Sequence, residues 1–348
     1  GRPVRLEISR EETIYGTRTR HQITGHTKAV VTKDGQFLAR KLEAFANNGG
    51  YASHGHAICA NCGNVYKELY QDKLGTEVDC WAVYTNAPTA GAMRAYGIPQ
   101  SVWFTECQTD DIAKKLGIDP LELRMKNCMP AGFKDPHNGI TFHSYGLKQT
   151  MEKGAELVHW KEKRAEYDKP QSGEKRRGIG MAIFCYKTGV YPIALETASA
   201  RMVLNQDGSA QLFMGATEIG QGADTVFVQM AAESSGLRFE DIYIESTQDT
   251  DTAPFDTGAY ASRQTYVSGK ACKKVAEEFK RKLIDYAVYM VNHAVEDFSK
   301  TVYLNEVTAA AKAIREAYGL QEDAEITKDM LDVLESEIIE KKNGKAVL

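Results

Sequence analysis

Long apolar runs are missing from this 348-residue chain. None approaches the roughly 18 residues that a membrane-spanning helix needs, and no secretory leader opens the sequence. An excess of basic charge is missing as well. Lys and Arg total 43 against 47 Asp and Glu, for a net charge of -4 and a pI near 6.1. Nucleic acid or an anionic membrane is therefore not the expected partner. Cysteine is sparse: seven residues, an odd number, scattered along the chain. That usage fits a reducing cytoplasm and excludes a disulfide framework. A serine nucleophile elbow is absent, and no Cys/His pair stands out. The chain thus offers no evident catalytic base or nucleophile of its own.

What is present is an ordinary globular composition, 43% apolar and 26% charged, in a chain long enough for two cores. Gly1 to Ile8 reads as a strand, so the chain is expected to begin inside a fold, as a fragment or split subunit would. Residues 1 to 160 read as mixed strands and helices, with a hairpin around Asp34-Gly35. Asp119-Pro120-Leu121-Glu122 has the form of a helix start: an N-cap Asp, a Pro in the first turn and a Glu to close a capping box. Residues 161–178 read as a linker. A second unit, 179–300, opens with a hairpin, Ala198 to Met214, turning at Asp207-Gly208. Two helices follow. One carries Ala223, Phe227, Met230 and Ala231 and ends at Gly236. The other carries Val275, Phe279, Leu283, Tyr286 and Met290. The tail, 301–348, reads as solvated helices without a chemical motif.

Two loops carry the chemistry. Thr85 to Gln100 packs Pro, Gly and Ala around Arg94 and Tyr96. Arg94 is either a surface arginine pairing a carboxylate or a guanidinium fork for an anionic or oxygen-rich group. Tyr96 is either a core aromatic or a wall that stacks on a planar substrate. Gly215 to Gly222 lies between a strand and a helix and approaches a P-loop in spacing. Gln221 replaces the lysine and Gly222 the magnesium-binding hydroxyl, so ATP hydrolysis is not expected. The segment is either a plain glycine turn or a cradle of backbone N–H groups with an amide donor. Asp249, Asp251 and Asp256 offer oxygens but lack the glycine and terminal Glu of an EF-hand loop. Cys59 and Cys62 have CxxC spacing without a second ligand pair, which reads as two packed thiols.

These segments, with Leu121-Glu122-Leu123-Arg124, Lys126-Asn127 and Gln248 to Gln264, resemble the molybdenum-binding subunit of xanthine dehydrogenase and related molybdenum hydroxylases. The resemblance runs from Gly1 to about Phe298, in a form like bacterial purine hydroxylases. It implies an α+β fold of two related mixed sub-regions of a molybdopterin-binding domain, with the cofactor in the cleft between them. It implies molybdenum-molybdopterin as cofactor, in mononucleotide or dinucleotide form. It places [2Fe-2S] clusters and FAD in partner subunits or domains of a cytoplasmic oligomer that also holds the remainder of the molybdenum subunit.

By position, Arg94, Gly220, Gln221, Ser262 and Gln264 would bind the cofactor, and Tyr96 and Ala261 would line the substrate. No residue of this chain would ligate the metal. The implied reaction is oxidative hydroxylation of a purine or other heteroaromatic ring. An aldehyde-oxidising member, or a non-catalytic cofactor-binding piece of a split subunit, is the alternative. Three family features have no counterpart here: the Gly-Glu-Pro-Pro stretch with the catalytic glutamate, an upstream glycine-rich cofactor loop, and an arginine about thirty residues before Arg94. The last absence removes the main argument for xanthine itself. The stretch after Tyr303 carries no match to the family.

Overall fold

In the computed structural model the described residues are 4–134, 139, 141–190, 196–245, 249–297 and 304–330. The chain divides into two units, 1–186 and 187–348. The first contains α1 (Arg10–Gly16), β1 (Ile23–Val31), β2 (Phe37–Gly49), α2 (Gly55–Glu68), β3 (Gly75–Tyr84), α3 (Ile98–Leu116), α4 (Pro120–Asn127), α5 (Leu147–Leu157) and α6 (Trp160–Tyr167). The second contains β4 (Ala200–Leu204), β5 (Ala210–Met214), α7 (Ala223–Ser235), β6 (Ile242–Glu245), α8 (Gly269–Asp297) and α9 (Leu304–Ala317).

Each unit builds the same small sheet. β1 and β2 are antiparallel, and β3 joins β2 in parallel after the crossover helix α2. β4, β5 and β6 repeat this order, with α7 as the crossover. In each sheet the middle strand and the strand parallel to it end on one side. The loops that leave those ends are 50–54 and 85–97 in the first unit, and 215–222 and the stretch after Glu245 in the second. In open α/β sheets ligands are bound beyond the carboxyl ends of parallel strands. Both glycine-rich segments singled out from the sequence leave such an end.

Alternation decides which face is covered. Leu42 and Ala44 of β2 are buried with Cys62 and Tyr66 of α2. Phe45, which points the other way, is exposed and stacks on Trp81 of β3 at 4.9 Å. In the second unit Leu212 and Met214 of β5 pack on Phe227 and Ala231 of α7 and on Cys272 and Ala276 of α8. The hairpin turn at Asp34-Gly35 forms as the sequence predicts, with Gly35 at φ +84°. Asn127 at the end of α4 staples it. Its carboxamide accepts from the Phe37 amide at 2.8 Å and donates to the Gly35 carbonyl at 2.8 Å. Arg124, on the same helix, is fully buried against Glu106 of α3 at 2.9 Å. The stretch Leu121 to Asn127 therefore serves the fold.

The strand expected from Gly1 to Ile8 is not formed over the described residues 4–8. Val4 and Leu6 stand fully out in solvent, and extended backbone without a pairing neighbour is no strand. At the start of α4, Asp119 caps the Leu121 amide at 2.8 Å. The reciprocal bond from Glu122 is not formed among the described residues, and the Trp160 indole N–H donates to the Asp119 carboxylate instead. The stretch read as a linker begins as α6 and continues without regular structure to Gly178. The tail is less solvated than its composition suggests. Ala311, Ile314 and Ile326 are buried beside Val291 of α8, and the Asn292 carboxamide exchanges two 3.1 Å hydrogen bonds with the Ile326 backbone. Three apolar residues spread over sixteen positions leave too weak a pattern to read. Gly319 (φ +66°) and the turn beyond it bring them together.

Candidate cofactor and substrate loops

The first loop is tied to its own sheet. The Thr85 hydroxyl donates to Asn47 at 2.6 Å, its amide to the Gly49 carbonyl at 3.0 Å, and the Ala90 amide to the Asn48 carbonyl at 3.0 Å. Gly49 is required here, because a Cβ would stand 2.2 Å from the Pro88 carbonyl oxygen. The chain then makes a left-handed turn through three consecutive residues, Ala95 (φ +72°), Tyr96 (φ +50°) and Gly97 (φ +96°). Such backbone is costly for non-glycine residues and persists only where neighbours hold it. They do so here. Asn61 of α2 donates to the Tyr96 carbonyl at 2.7 Å, and Arg20 donates to the Arg94 carbonyl at 2.6 Å. α3 then starts at once, with Pro99 in its first turn.

Tyr96 is half-buried and does not belong to a core cluster among the described residues. Its ring meets His54 edge-on at 5.9 Å, and its hydroxyl shares a 2.7 Å hydrogen bond with His54 Nδ1. Burial, and then the neighbouring Tyr186, hold its phenol above the ordinary value, so the ring stays neutral. The Arg94 side chain is exposed. Among the described residues its guanidinium has no hydrogen-bond or ion-pair partner, so the surface-pair reading is not realised.

In the second unit, Gly215 sits where a Cβ would fall 2.3 Å from the Pro254 carbonyl oxygen. Gly220 (φ +90°) and Gly222 (φ +83°) turn the chain into α7. Gln221 and Gln264, 43 positions apart, meet: Gln221 Nε2 donates to Gln264 Oε1 at 2.5 Å. Both carboxamides also donate to the Thr217 carbonyl, at 3.1 and 2.8 Å. Both Gln221 protons are thus used, one within the loop and one on Gln264, whereas Gln264 keeps one. The backbone cradle ahead of α7 holds an anion already. The Glu218 carboxylate accepts from the amides of Gly220 (2.6 Å), Gly222 (3.2 Å) and Asp224 (3.2 Å). The Asp224 amide first, with the others, brings its carboxyl below the ordinary value.

Ala261 (φ +50°) and Ser262 (φ +53°) form a second left-handed turn. The Ala261 carbonyl accepts from the Gly189 amide at 2.7 Å. The turn is anchored by Arg263, whose side chain is wholly buried. Arg263 reaches Glu196 and Asp256 at 2.6 Å each, and the carbonyls of Gly258 and Thr197 at 2.9 and 2.7 Å. Asp256 also accepts from the Ser268 hydroxyl at 2.8 Å, which joins the loop to the start of α8. Asp256 is therefore a partner of Arg263 and not a free oxygen ligand.

Two family models, each described as molybdopterin cofactor-binding domain, match the chain, one over residues 1–128 and the other over 153–339. The chain belongs to this molybdopterin cofactor-binding family. It is 44% identical over 294 residues to the xanthine dehydrogenase molybdenum-binding subunit of Escherichia coli O157:H7, covering 84% of this chain and 39% of that one. It is 28% identical over 320 residues to the xanthine dehydrogenase/oxidase of Gallus gallus, covering 89% and 23%. The solved aldehyde oxidoreductase of Desulfovibrio gigas superposes with a TM-score of 0.68 at 27% identity, over 77% of this chain and 29% of that one. The chain thus spans less than two fifths of the length of these relatives. The second of the two family-model matches runs on to residue 339, past Phe298.

The loop residues suit the pterin of such a cofactor. No atom lies within 4 Å of where a Cβ on Gly220 or Gly222 would stand, so exposed backbone there borders open space. Gln264 has an amide proton left over, and Arg94 is a cation without a partner among the described residues. The same residues do not suit a phosphate at the start of α7, since Glu218 fills that cradle. Sequence reasoning missed Arg263, Glu218, His54 and Asn61. The only trace of Arg263 is a single charge directly after residues 258–262, close to Asp256. The roles of His54 and Asn61 leave no trace, because their partner lies about forty residues away.

Proposed function

We propose that this chain is the cofactor-holding part of a molybdenum hydroxylase of the xanthine dehydrogenase type. Its substrate is a planar heteroaromatic ring such as a purine. The observation that carries this reading is the meeting of Gln221 and Gln264 over an open glycine loop. Gln221 holds the Gln264 carboxamide in place, and the remaining N–H and oxygen lone pair of Gln264 would meet a pterin edge. Gln221, Gln264, Gly220 and Ser262 would hold the cofactor, and Arg94 would face its oxygen-rich groups. Tyr96, steadied by His54, would stack on the substrate, and Ala261 is the second residue proposed to line it. When bound, the molybdenum centre supplies the oxygen atom and takes up two electrons. This chain's own residues bind, orient and exclude water around it. The electrons would pass to iron–sulfur and FAD proteins, and the enzyme would work in the cytoplasm. In keeping with that location, no helix among the described residues is long and apolar enough to cross a membrane.

The test is co-expression of the chain with the remainder of its molybdenum subunit. Molybdenum and released pterin are measured for wild type, Gln221→Ala and Gln264→Ala. A loss of about 1–3 kcal/mol in cofactor binding, the cost of an unpaired buried polar group, is expected for each variant. Full molybdenum occupancy in both would refute the contact. Preference for small aliphatic aldehydes over purines or pyridines would refute the substrate class.

A further inference from the structure

We propose that Glu218 is the positioning residue of the cofactor loop, an internal anion standing where a phosphate stands in a P-loop. A glycine turn that aims backbone N–H groups outward from a helix start attracts negative charge. Here the charge comes from within the turn. Glu218 draws the amides of Gly220, Gly222 and Asp224 onto one carboxylate. Between those bonds the chain has one free course, and it fixes the backbone of Gln221. The Gln221 side chain is held by the same turn: its Oε1 accepts from the Ile219 amide at 2.7 Å, and its Nε2 reaches the Thr217 carbonyl and Gln264. Among the described residues no lysine or arginine pairs with Glu218. Its charge is met by backbone alone.

Two consequences follow. The loop is shaped before any ligand arrives, and an outside anion finds its place taken. The phosphate of a pterin cofactor therefore binds away from the start of α7, and the loop presents its carboxamides. This last statement rests on the proposed pterin contact. The occupancy of the turn by Glu218 does not.

Hydrogen exchange of the full 348-residue chain separates the two. The peptide spanning residues 217–225 is followed in wild type, Glu218→Ala and Glu218→Gln, each first checked for native circular dichroism. Inorganic phosphate is the probe, against chloride at equal ionic strength. In Glu218→Ala the amides of Gly220, Gly222 and Asp224 should exchange at least about tenfold faster, the loss of charge-assisted hydrogen bonds. Phosphate should restore slow exchange in that variant and leave wild type unchanged. Glu218→Gln, which keeps one acceptor oxygen, should fall between. Equal exchange in all three chains would overturn the proposal. So would a phosphate response as large in wild type as in Glu218→Ala. If exchange behaves as expected but molybdenum content is indifferent to Gln221, the positioning role stands and the pterin contact falls.

Discussion

Tyr96 shows how much one hydroxyl changes. From sequence, only its ring is invoked, and Tyr96→Phe should be nearly neutral. The 2.7 Å bond to His54 alters that expectation. Tyr96→Phe should lose about 1 kcal/mol of stability, the net worth of one hydrogen bond, and raise KM modestly as the ring loosens. Tyr96→Ala should cost a further 0.5–1.5 kcal/mol or so in substrate binding from lost stacking. If His54→Ala leaves both KM and melting temperature untouched, the pair has no role. Arg263 is the other decisive residue. Arg263→Ala strands Glu196 and the wholly buried Asp256. About 3–5 kcal/mol of stability should be lost by urea titration. Burial pushes the Glu196 carboxyl up, but its bonds from Arg263 and the Val190 amide outweigh this and leave it below its ordinary 4.5. A depressed folded value stabilises above the unfolded one and is lost as pH falls through the folded one. The contribution of Glu196 should therefore be complete above about pH 4.5 and fade below it. Glu196→Gln should flatten the decline in urea midpoint as pH falls below about 4.5. An unchanged slope would show that this pair does not couple to proton uptake.

Among elements, the loops that leave β2, β3 and β5 are built by close approach. Gly97→Ala places a methyl group 2.6 Å from the Ile58 carbonyl oxygen at φ +96°, and Gly215→Ala places one 2.3 Å from that of Pro254. Each should cost more than about 1 kcal/mol. By contrast, Gly132→Ala, also at positive φ but with no atom near, should carry backbone strain alone. Thermal melts of the three variants, ranked, test whether contact or φ dominates. The helices and hairpins were legible because period and turn chemistry are local: Asp34-Gly35, Asp207-Gly208, the cap at Asp119 and the stop at Gly236 all stand where the residues place them. The strand at the N-terminus was not legible as absent, because pairing requires a neighbour that local pattern cannot supply. The glycine loop was legible as a cradle but not as a filled one. Glu218 lies only two to six residues from the amides it accepts, yet its direction depends on the turn.

At the scale of the whole molecule, this chain supplies two ββαβ units, and its sequence carries no Gly-Glu-Pro-Pro stretch with a base. The isolated chain should therefore not hydroxylate purines or pyridines, even when incubated with the extracted cofactor. Turnover by the pure chain, free of other subunits, would sink that expectation. Composition, the 3.6- and 2-residue periods and the turn residues determined the elements. The two glycine segments and their family resemblance determined the class of cofactor. These are properties of neighbours along the chain, or of motifs read whole. Tertiary structure alone decided that Gln221 meets Gln264, that His54 holds Tyr96, that Arg263 is buried with two carboxylates and that Arg94 is left unpaired among the described residues. Each of these depends on residues 7 to 67 positions apart meeting at a strand end, or on a partner failing to arrive there, and no local pattern records such distances.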